Sequence, residues 1–258
     1  AKVRDIVTNP RAQFDASSAL HSRYRTPFAL SAMDLSVEAE AFGCQIHMTD
    51  DEIPTAVSSV VANLEQAQAL VVPPVGLKRT QVYLDTVKLL RQLPDRPLVL
   101  GGCIGPFSLA GRLVGLSEAC GLTLENPGLM HTVLDKCASF LTAYVQEFKS
   151  AGADGVIMAE PAAGLLSPRG LGAFSAAYIR RIVQAAEDGQ FQIILHNCGA
   201  KLVHLSAILE SGPSAFHFGA PMDRAGALGK VSPDVVLCGN LDPTAMFLQS
   251  TRKQLEAK

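Results

Sequence analysis

Six short apolar segments constrain the fold of this chain most strongly, because each is typical of a buried strand. They lie near residues 27–33, 97–102, 155–160, 192–198, 215–219 and 235–239, and helix-bearing connections separate the last five. Strands that alternate with helices in this way form βαβ units and a parallel sheet. Polar residues or glycines follow each segment, as at the C-terminal face of (β/α)8 barrels. We predict an α/β fold of the TIM (β/α)8 type with six strands, two short of a closed barrel.

The length suits one large domain or two small ones, and the composition indicates a sizeable core. Hydrophobic residues make up 48% of the 258 residues and charged residues 18%, which argues against a disordered chain. The net charge is −2 with both signs interspersed, so we expect no nucleic-acid partner. Pro or Gly interrupts every long apolar run, and the N-terminus lacks the apolar core of a signal peptide, so we expect no membrane partner.

Six cysteines without a C-x-x-C motif are typical of free thiols in a reducing compartment. We therefore expect a cytoplasmic protein in which residues 1–258 form a single, incomplete barrel domain. Residues 1–25 read as irregular, apart from a short helix at 17–24, because Asn-Pro is a common breaker. A helix is predicted over residues 57–70, and the longest amphipathic helix over 127–150.

The strand near residues 192–198 ends in the sequence His196-Asn197-Cys198. Side chains at positions i and i+2 point to the same side of a strand, so the imidazole of His196 and the thiol of Cys198 share one face. Nitrogen and sulfur ligands of this kind are those that zinc prefers. The pair alone is equally compatible with a hydrogen-bonded core histidine beside an inert cysteine.

Further polar residues and glycines follow the other predicted strands. Asp34 lies on a strand-to-helix loop, where it either borders a site or caps the helix that starts at Ser36. The glycine-rich turn at residues 101–105 allows a backbone to approach a ligand closely, although it is not a phosphate-binding loop. Loops after barrel strands converge at one mouth. We therefore expect one cavity to be bordered by His196, Asp34, Gly102, Cys103, Gly105, Asn240 and Asp242.

Four segments in this order resemble the uroporphyrinogen decarboxylase-like superfamily, and together they span about residues 24–245. They are MDLSVEAEAFG at 33–43, GPFSLAG at 105–111, HNCG at 196–199 and GNLDP at 239–243. Decarboxylases of this superfamily use a catalytic aspartate at a position similar to Asp34, with an arginine-rich N-terminal motif that is absent here. Corrinoid-dependent methyltransferases of the methylcobamide:coenzyme M type carry His-x-Cys on the fifth barrel strand and bind zinc there. The VEAEA segment is also more similar to this methyltransferase branch.

The resemblance implies a zinc-dependent methyltransferase with His196, Cys198 and Asp34 as catalytic residues. It would move a methyl group from the methylcobamide of a corrinoid protein to a small thiol, such as coenzyme M, or to tetrahydrofolate. Two alternatives remain: cofactor-free decarboxylation that uses Asp34, and a non-catalytic homologue that only docks a corrinoid protein. The resemblance also implies a second cysteine ligand on the last barrel strand, which we expect beyond Lys258. It likewise implies that the two barrel strands lacking in this chain are the first and the last.

Within the chain itself, Glu160 is the predicted third zinc ligand beside His196 and Cys198. It ends the strand expected to neighbour the His196 strand, at a spacing of ~4.8 Å. Cys238 is the rival, but its strand is expected two positions away, at ~10 Å. Two thiolates on one tetrahedral zinc lie within about 4 Å of each other, so we interpret Cys238 as a core residue.

Overall fold

In the computed structural model, which describes residues 1–256, helices flank a curled sheet of six parallel strands. The strand order is β1-β4-β5-β6-β7-β8, and β2 and β3 form a separate antiparallel pair. The six predicted strands and their parallel arrangement are therefore confirmed. The strands are β1 Phe28–Leu30, β2 Ile46–His47, β3 Thr55–Ala56, β4 Leu98–Ile104, β5 Gly155–Ala159, β6 Gln192–Asn197, β7 Ala215–Phe218 and β8 Val236–Cys238.

Helical segments fill the connections between the strands. The α-helices are α1 Val3–Thr8, α2 Pro10–Tyr24, α3 Val37–Ala41, α4 Leu64–Ala69, α5 Thr80–Leu90, α6 Pro106–Val114, α7 Leu116–Glu125, α8 Pro127–Ser150, α9 Pro168–Leu171, α10 Ala177–Ala186, α11 Leu205–Leu209, α12 Arg224–Leu228 and α13 Arg252–Glu256. Pro161–Leu165 and Leu202–His204 are 3-10 helices, and Gly172–Ala176 and Thr244–Leu248 are π-helices. Within residues 1–256, no helix has both the length and the apolar character needed to cross a membrane.

The amino-terminal segment is helical rather than irregular. The side chain of Asn9 accepts hydrogen bonds from the backbone N–H groups of Arg11 and Ala12, at 2.9 and 3.1 Å, and so caps helix α2. Pro10 occupies the first turn, where its missing N–H costs nothing. The pair that reads as a breaker in the sequence is therefore a helix start signal.

The helix predicted over residues 57–70 is shorter than expected, since only Leu64–Ala69 is helical. The N–H groups of Val60 and Val61 both donate to the carbonyl of Leu113, at 2.8 and 3.0 Å. These bonds hold the preceding segment against the end of helix α6. The segment that contains Val60 and Val61 is therefore not helical, although its apolar spacing is typical of a helix. The side chain of Val61 is nevertheless buried, as a core residue would be.

Each strand of the sheet has one face covered by helices and one face toward the barrel interior. Along β6, Ile193 and Leu195 are buried, whereas Ile194 and His196 are only partly buried. A Cβ atom at Gly101 would lie 2.6 Å from the ring of Phe148, so glycine here lets helix α8 pack closely on β4. His196 therefore projects from the inner face, opposite the helical layer.

Candidate functional site

The strand register aligns four residues in one row at the C-terminal ends of neighbouring strands. Ala159 pairs with His196, His196 pairs with His217, and His217 pairs with Cys238. Paired residues of a parallel sheet point to the same face. The row therefore presents two imidazoles and a thiol on the inner face, and the exposed Cys198 follows directly after β6.

His196 and His217 are in direct contact. Their Nδ1 atoms are 2.6 Å apart, and Nδ1 of His196 also lies 3.2 Å from the backbone carbonyl oxygen of His217. Burial lowers the pKa of both rings, and a positive charge on His217 would lower the pKa of His196 further. Both imidazoles are therefore favoured in the neutral form, in which one ring nitrogen keeps a lone pair.

The sequence reasoning missed His217 as a candidate site residue. The available signal was its position on a predicted strand, in an alternating segment directly after the strand of His196. Consecutive strands of a βαβ series are usually neighbours, so a histidine at the matching position was a candidate partner. Its register with His196 could be read only from the sheet.

The thiols of Cys198 and Cys238 differ in their distance along the sheet from His196. Cys198 lies two residues beyond His196 in the chain, whereas Cys238 lies on β8, two strands from β6, as predicted. An accessible thiol and an imidazole nitrogen match the ligand types of zinc. Within residues 1–256, however, no group of three His, Cys, Asp or Glu side chains could hold a metal ion.

Glu160 binds the N-terminus of helix α6. Its Oε1 accepts hydrogen bonds from the N–H of Phe107 and the hydroxyl of Ser175, both at 2.8 Å, and its Oε2 accepts one from the N–H of Ser108 at 2.9 Å. The side chain is only 1% exposed, and burial raises its pKa although these bonds act in the opposite direction. The expectation that Glu160 is an available metal ligand is corrected, because both carboxylate oxygens are bound to protein donors.

Asp34 is buried in a network with Arg79. One carboxylate oxygen accepts from the guanidinium of Arg79, and the other from the N–H and hydroxyl of Ser36, at 2.9 and 2.6 Å. Arg79 also donates to Glu40 at 2.6 Å. These contacts are those of the loop-stabilising alternative. Strand β1 is three positions from β6, so Asp34 is separated from His196 by roughly 14 Å along the sheet.

The glycine-rich turn makes room for side chains of the protein itself. A Cβ at Gly102 would lie 3.1 Å from the methyl group of Met33, and a Cβ at Gly105 would lie 2.6 Å from the carboxyl carbon of Glu160. Cys103 between them is buried, and burial raises the pKa of its thiol well above its ordinary value. A thiol of this kind is inert. The three predicted substrate-binding positions thus have structural contacts.

Asn240 and Asp242 hold the loops that follow β7 and β8. The side-chain amide of Asn240 donates to the carbonyls of Gly219 and Met222, at 3.2 and 2.6 Å. Asp242 accepts from two backbone N–H groups of the following segment, at 2.9 and 3.0 Å, and so caps the start of the helix Thr244–Leu248. Both residues therefore lie at the same end of the sheet as His196.

Comparison with solved structures confirms the (β/α)8-type fold. A methyltransferase from Methanosarcina mazei superposes with a TM-score of 0.74 at 21% identity, over 93% of this chain and 82% of that chain. A protein described as a putative vitamin-B12-independent methionine synthase from Listeria monocytogenes superposes with a TM-score of 0.60 at 10% identity.

Sequence comparison identifies relatives of two kinds. The methylcobamide:CoM methyltransferase MtbA of Methanosarcina mazei is 30% identical over 237 residues, which cover 90% of this chain and 68% of the relative. The Methanosarcina acetivorans MtbA is 29% identical, with 66% of its length covered. A uroporphyrinogen decarboxylase from Psychromonas ingrahamii is 27% identical over 91% of this chain and 68% of its own length. The model of the uroporphyrinogen decarboxylase (URO-D) family matches residues 1–258, and the chain therefore belongs to this family.

Proposed function

We propose that this chain catalyses the transfer of a methyl group from a methylated corrinoid protein to a small thiol of the coenzyme M type. The observation that carries the proposal is the His196-Asn197-Cys198 segment at the C-terminal end of β6. A decarboxylation without a cofactor has no need of this imidazole and thiol. The MtbA relatives, which are methylcobamide:CoM methyltransferases, support the same choice.

The residues of the site would serve by holding zinc at the mouth of the barrel. His196 would contribute a ring nitrogen and Cys198 a thiolate, which are the ligand types of zinc sites. Zn²⁺ would supply the acidity that converts an acceptor thiol, mostly protonated at neutral pH with a pKa of ~8.5, into the nucleophilic thiolate. The exposure of Cys198 leaves this end of the strand open to both substrates.

The proposed reaction is the direct transfer of a methyl group from cobalt to sulfur. The acceptor thiol loses its proton to the solvent and its sulfur attacks the methyl carbon, so a sulfur–carbon bond forms while the carbon–cobalt bond breaks. The electron pair of the broken bond stays on cobalt. The neutral form of His196, which burial favours, leaves the lone pair of one ring nitrogen for binding zinc.

The contacts of Asp34 favour methyl transfer over decarboxylation. A catalytic aspartate needs a carboxylate that can reach the substrate, whereas both oxygens of Asp34 are bonded to Arg79 and Ser36. Tetrahydrofolate as acceptor and a docking role without catalysis are the other outcomes that an experiment must separate.

The test measures metal content and methyl transfer in the same preparations. The chain, loaded with Zn²⁺, is mixed with methylcobalamin and coenzyme M, and the loss of methylcobalamin is followed by its absorbance. We expect thiol-dependent demethylation that Cys198→Ala abolishes together with zinc binding. The matched control Cys120→Ala changes a half-buried thiol on α7 and is expected to retain both.

Three results would contradict the proposal. The first is full zinc binding in the Cys198→Ala variant. The second is methyl transfer to tetrahydrofolate but to no thiol. The third is carbon dioxide release from uroporphyrinogen by the metal-free chain, lost in Asp34→Asn. Corrinoid-protein binding without any methyl transfer would support the docking alternative instead.

A further inference from the structure

The contact between His196 and His217 restricts which ring nitrogens of the two imidazoles can carry a proton. Two neutral imidazole nitrogens 2.6 Å apart attract each other only if one of them carries a hydrogen and the other presents a lone pair. The pair therefore has two possible arrangements, with the shared proton on Nδ1 of either His196 or His217. These arrangements differ in their interaction with the neighbouring backbone.

The carbonyl oxygen of His217 decides between the two arrangements. It lies 3.2 Å from Nδ1 of His196, and a carbonyl oxygen can only accept a hydrogen bond. A proton on Nδ1 of His196 is attracted both to this oxygen and to the lone pair of His217. A proton on Nδ1 of His217 would instead leave the lone pair of His196 facing the oxygen, which is repulsive.

We propose that His217 is a positioning residue that holds His196 as the Nδ1–H tautomer, which leaves Nε2 of His196 as its only nitrogen able to bind a metal ion. This inference rests on the proposed function, since it assigns the ligand atom of that site. A histidine that binds a metal through one nitrogen usually donates the hydrogen of the other to a nearby acceptor, which fixes the ring orientation.

The same arrangement excludes His217 as a metal ligand. Its Nδ1 lone pair accepts the hydrogen bond from His196, so in the neutral ring its proton is on Nε2. A protonated Nε2 has no lone pair to offer to a metal. This nitrogen lies near Gly239, 3.5 Å from where a Cβ at that residue would be. Row position alone would have made His217 a plausible ligand beside His196 and Cys238, and hydrogen bonding rules this out.

The first experiment reads the tautomers directly in the metal-free chain. Nitrogen-15 NMR of the imidazoles distinguishes protonated from unprotonated ring nitrogens. We expect the Nδ1–H form at His196 and the Nε2–H form at His217. His217→Phe removes the ring acceptor and is expected to raise the Nε2–H fraction at His196. An Nε2–H tautomer at His196 in the unmodified chain, or no change in His217→Phe, would overturn the proposal.

The second experiment measures affinity for Co²⁺, whose absorption spectrum reports the ligand set. We expect His217→Phe to weaken binding about 10- to 100-fold, the usual effect of losing an outer partner, without altering the spectrum. His217→Asn restores an acceptor near the position of Nδ1 and should recover most of the affinity. The control His47→Gln changes an exposed histidine on β2 and should have no effect.

The outcomes separate this inference from the proposed function. A changed Co²⁺ spectrum in His217→Phe, or His217→Asn no better than His217→Phe, would make His217 a ligand and overturn the positioning role. If the unmodified chain binds neither Zn²⁺ nor Co²⁺ but the tautomers are as stated, the proposed function fails and the positioning of His196 stands.

Discussion

The backbone N–H of Ile104 donates a hydrogen bond of 3.0 Å to Oε1 of Glu38, and this bond ties helix α3 to the end of strand β4. Glu38 is buried, and among the described residues its Oε2 has no hydrogen-bond partner. Burial raises the pKa of Glu38 to about 7, the N–H of Ile104 acts against this shift, and the carboxylate of Asp34 adds to it. Glu38 is therefore a carboxyl group that is neutral in slightly acidic solution.

The first prediction concerns the pH dependence of stability. The folded-state pKa of Glu38 lies above its unfolded value, so the folded protein is favoured by the neutral carboxyl group. This contribution to the free energy of unfolding is fully present below pH 4.5 and is lost as the pH rises through about 7. The full effect is on the order of 3 kcal/mol. Glu38→Gln, which cannot ionise, should gain stability relative to the unmodified chain between pH 5 and pH 8. Urea unfolding of both proteins at pH 5 and at pH 8 measures this change in the free energy of unfolding.

A matched control for this pH experiment is Glu65→Gln, which changes an exposed glutamate on α4. Its stability should follow that of the unmodified chain at every pH. Parallel profiles for Glu38→Gln and the unmodified chain would show that Glu38 has no raised pKa in the folded state.

The second prediction is that Glu160 contributes to stability rather than to metal binding. In Glu160→Gln one carboxylate oxygen becomes an NH2 group, which cannot accept from the buried N–H of Phe107 or Ser108. The loss should be about 1–3 kcal/mol, measured by chemical denaturation. Zinc affinity should not change. The exposed Glu147→Gln serves as control, and zinc loss at unchanged stability would restore Glu160 as a ligand.

The third prediction concerns the close approach of Gly105 and Glu160. Gly105→Ala places a methyl group against the Glu160 carboxylate. This carboxylate, which binds the N-terminus of α6, must then shift, and the melting temperature should fall. Gly121→Ala is the control, because its new Cβ meets only a side-chain oxygen of Glu125, at 4.0 Å. That substitution inside helix α7 should stabilise the protein by up to about 1 kcal/mol. Equal effects of the two changes would contradict the packing argument.

The fourth prediction compares a buried ion pair with an exposed one. Arg79→Met leaves Asp34 as an unpaired buried charge and should cost about 3–5 kcal/mol. Arg181→Met breaks an exposed pair with Asp135 and should cost less than about 1 kcal/mol. In a double-mutant cycle, Asp34→Asn combined with Arg79→Met should be less damaging than the sum of the single changes. Additive effects would mean that the two side chains do not interact.

The fifth prediction separates the exposed thiol of Cys198 from the thiol of Cys238 on the inner face. Cys238 lies two strands from His196, so Cys238→Ala should leave zinc affinity unchanged. Equilibrium dialysis against Zn²⁺ measures this directly. A Cys238→Ala variant that no longer binds zinc would place that thiol in the metal site and would contradict the assignment to Cys198.

Local patterns were sufficient to predict the parallel sheet. Apolar runs such as residues 155–160 and 192–198 carry strand propensity within themselves, and the helices between them dictate parallel crossovers. The His196-Asn197-Cys198 segment was visible for the same reason, since a period of two places side chains on one face without reference to any other part of the chain. Where two local signals compete, this reasoning was wrong: Asn9 and Pro10 read as a breaker but start a helix.

Only the tertiary structure decided which partners the polar groups have. Glu160 ends a predicted strand, but its hydrogen bonds go to helix α6, whose N-terminus follows the adjacent strand β4. The contact of His196 with His217 depends on the register of β6 against β7, which no residue of either strand specifies alone. A side chain's direction follows from local backbone geometry, whereas its hydrogen-bond partner depends on how separate elements pack, and packing is set by the whole core at once.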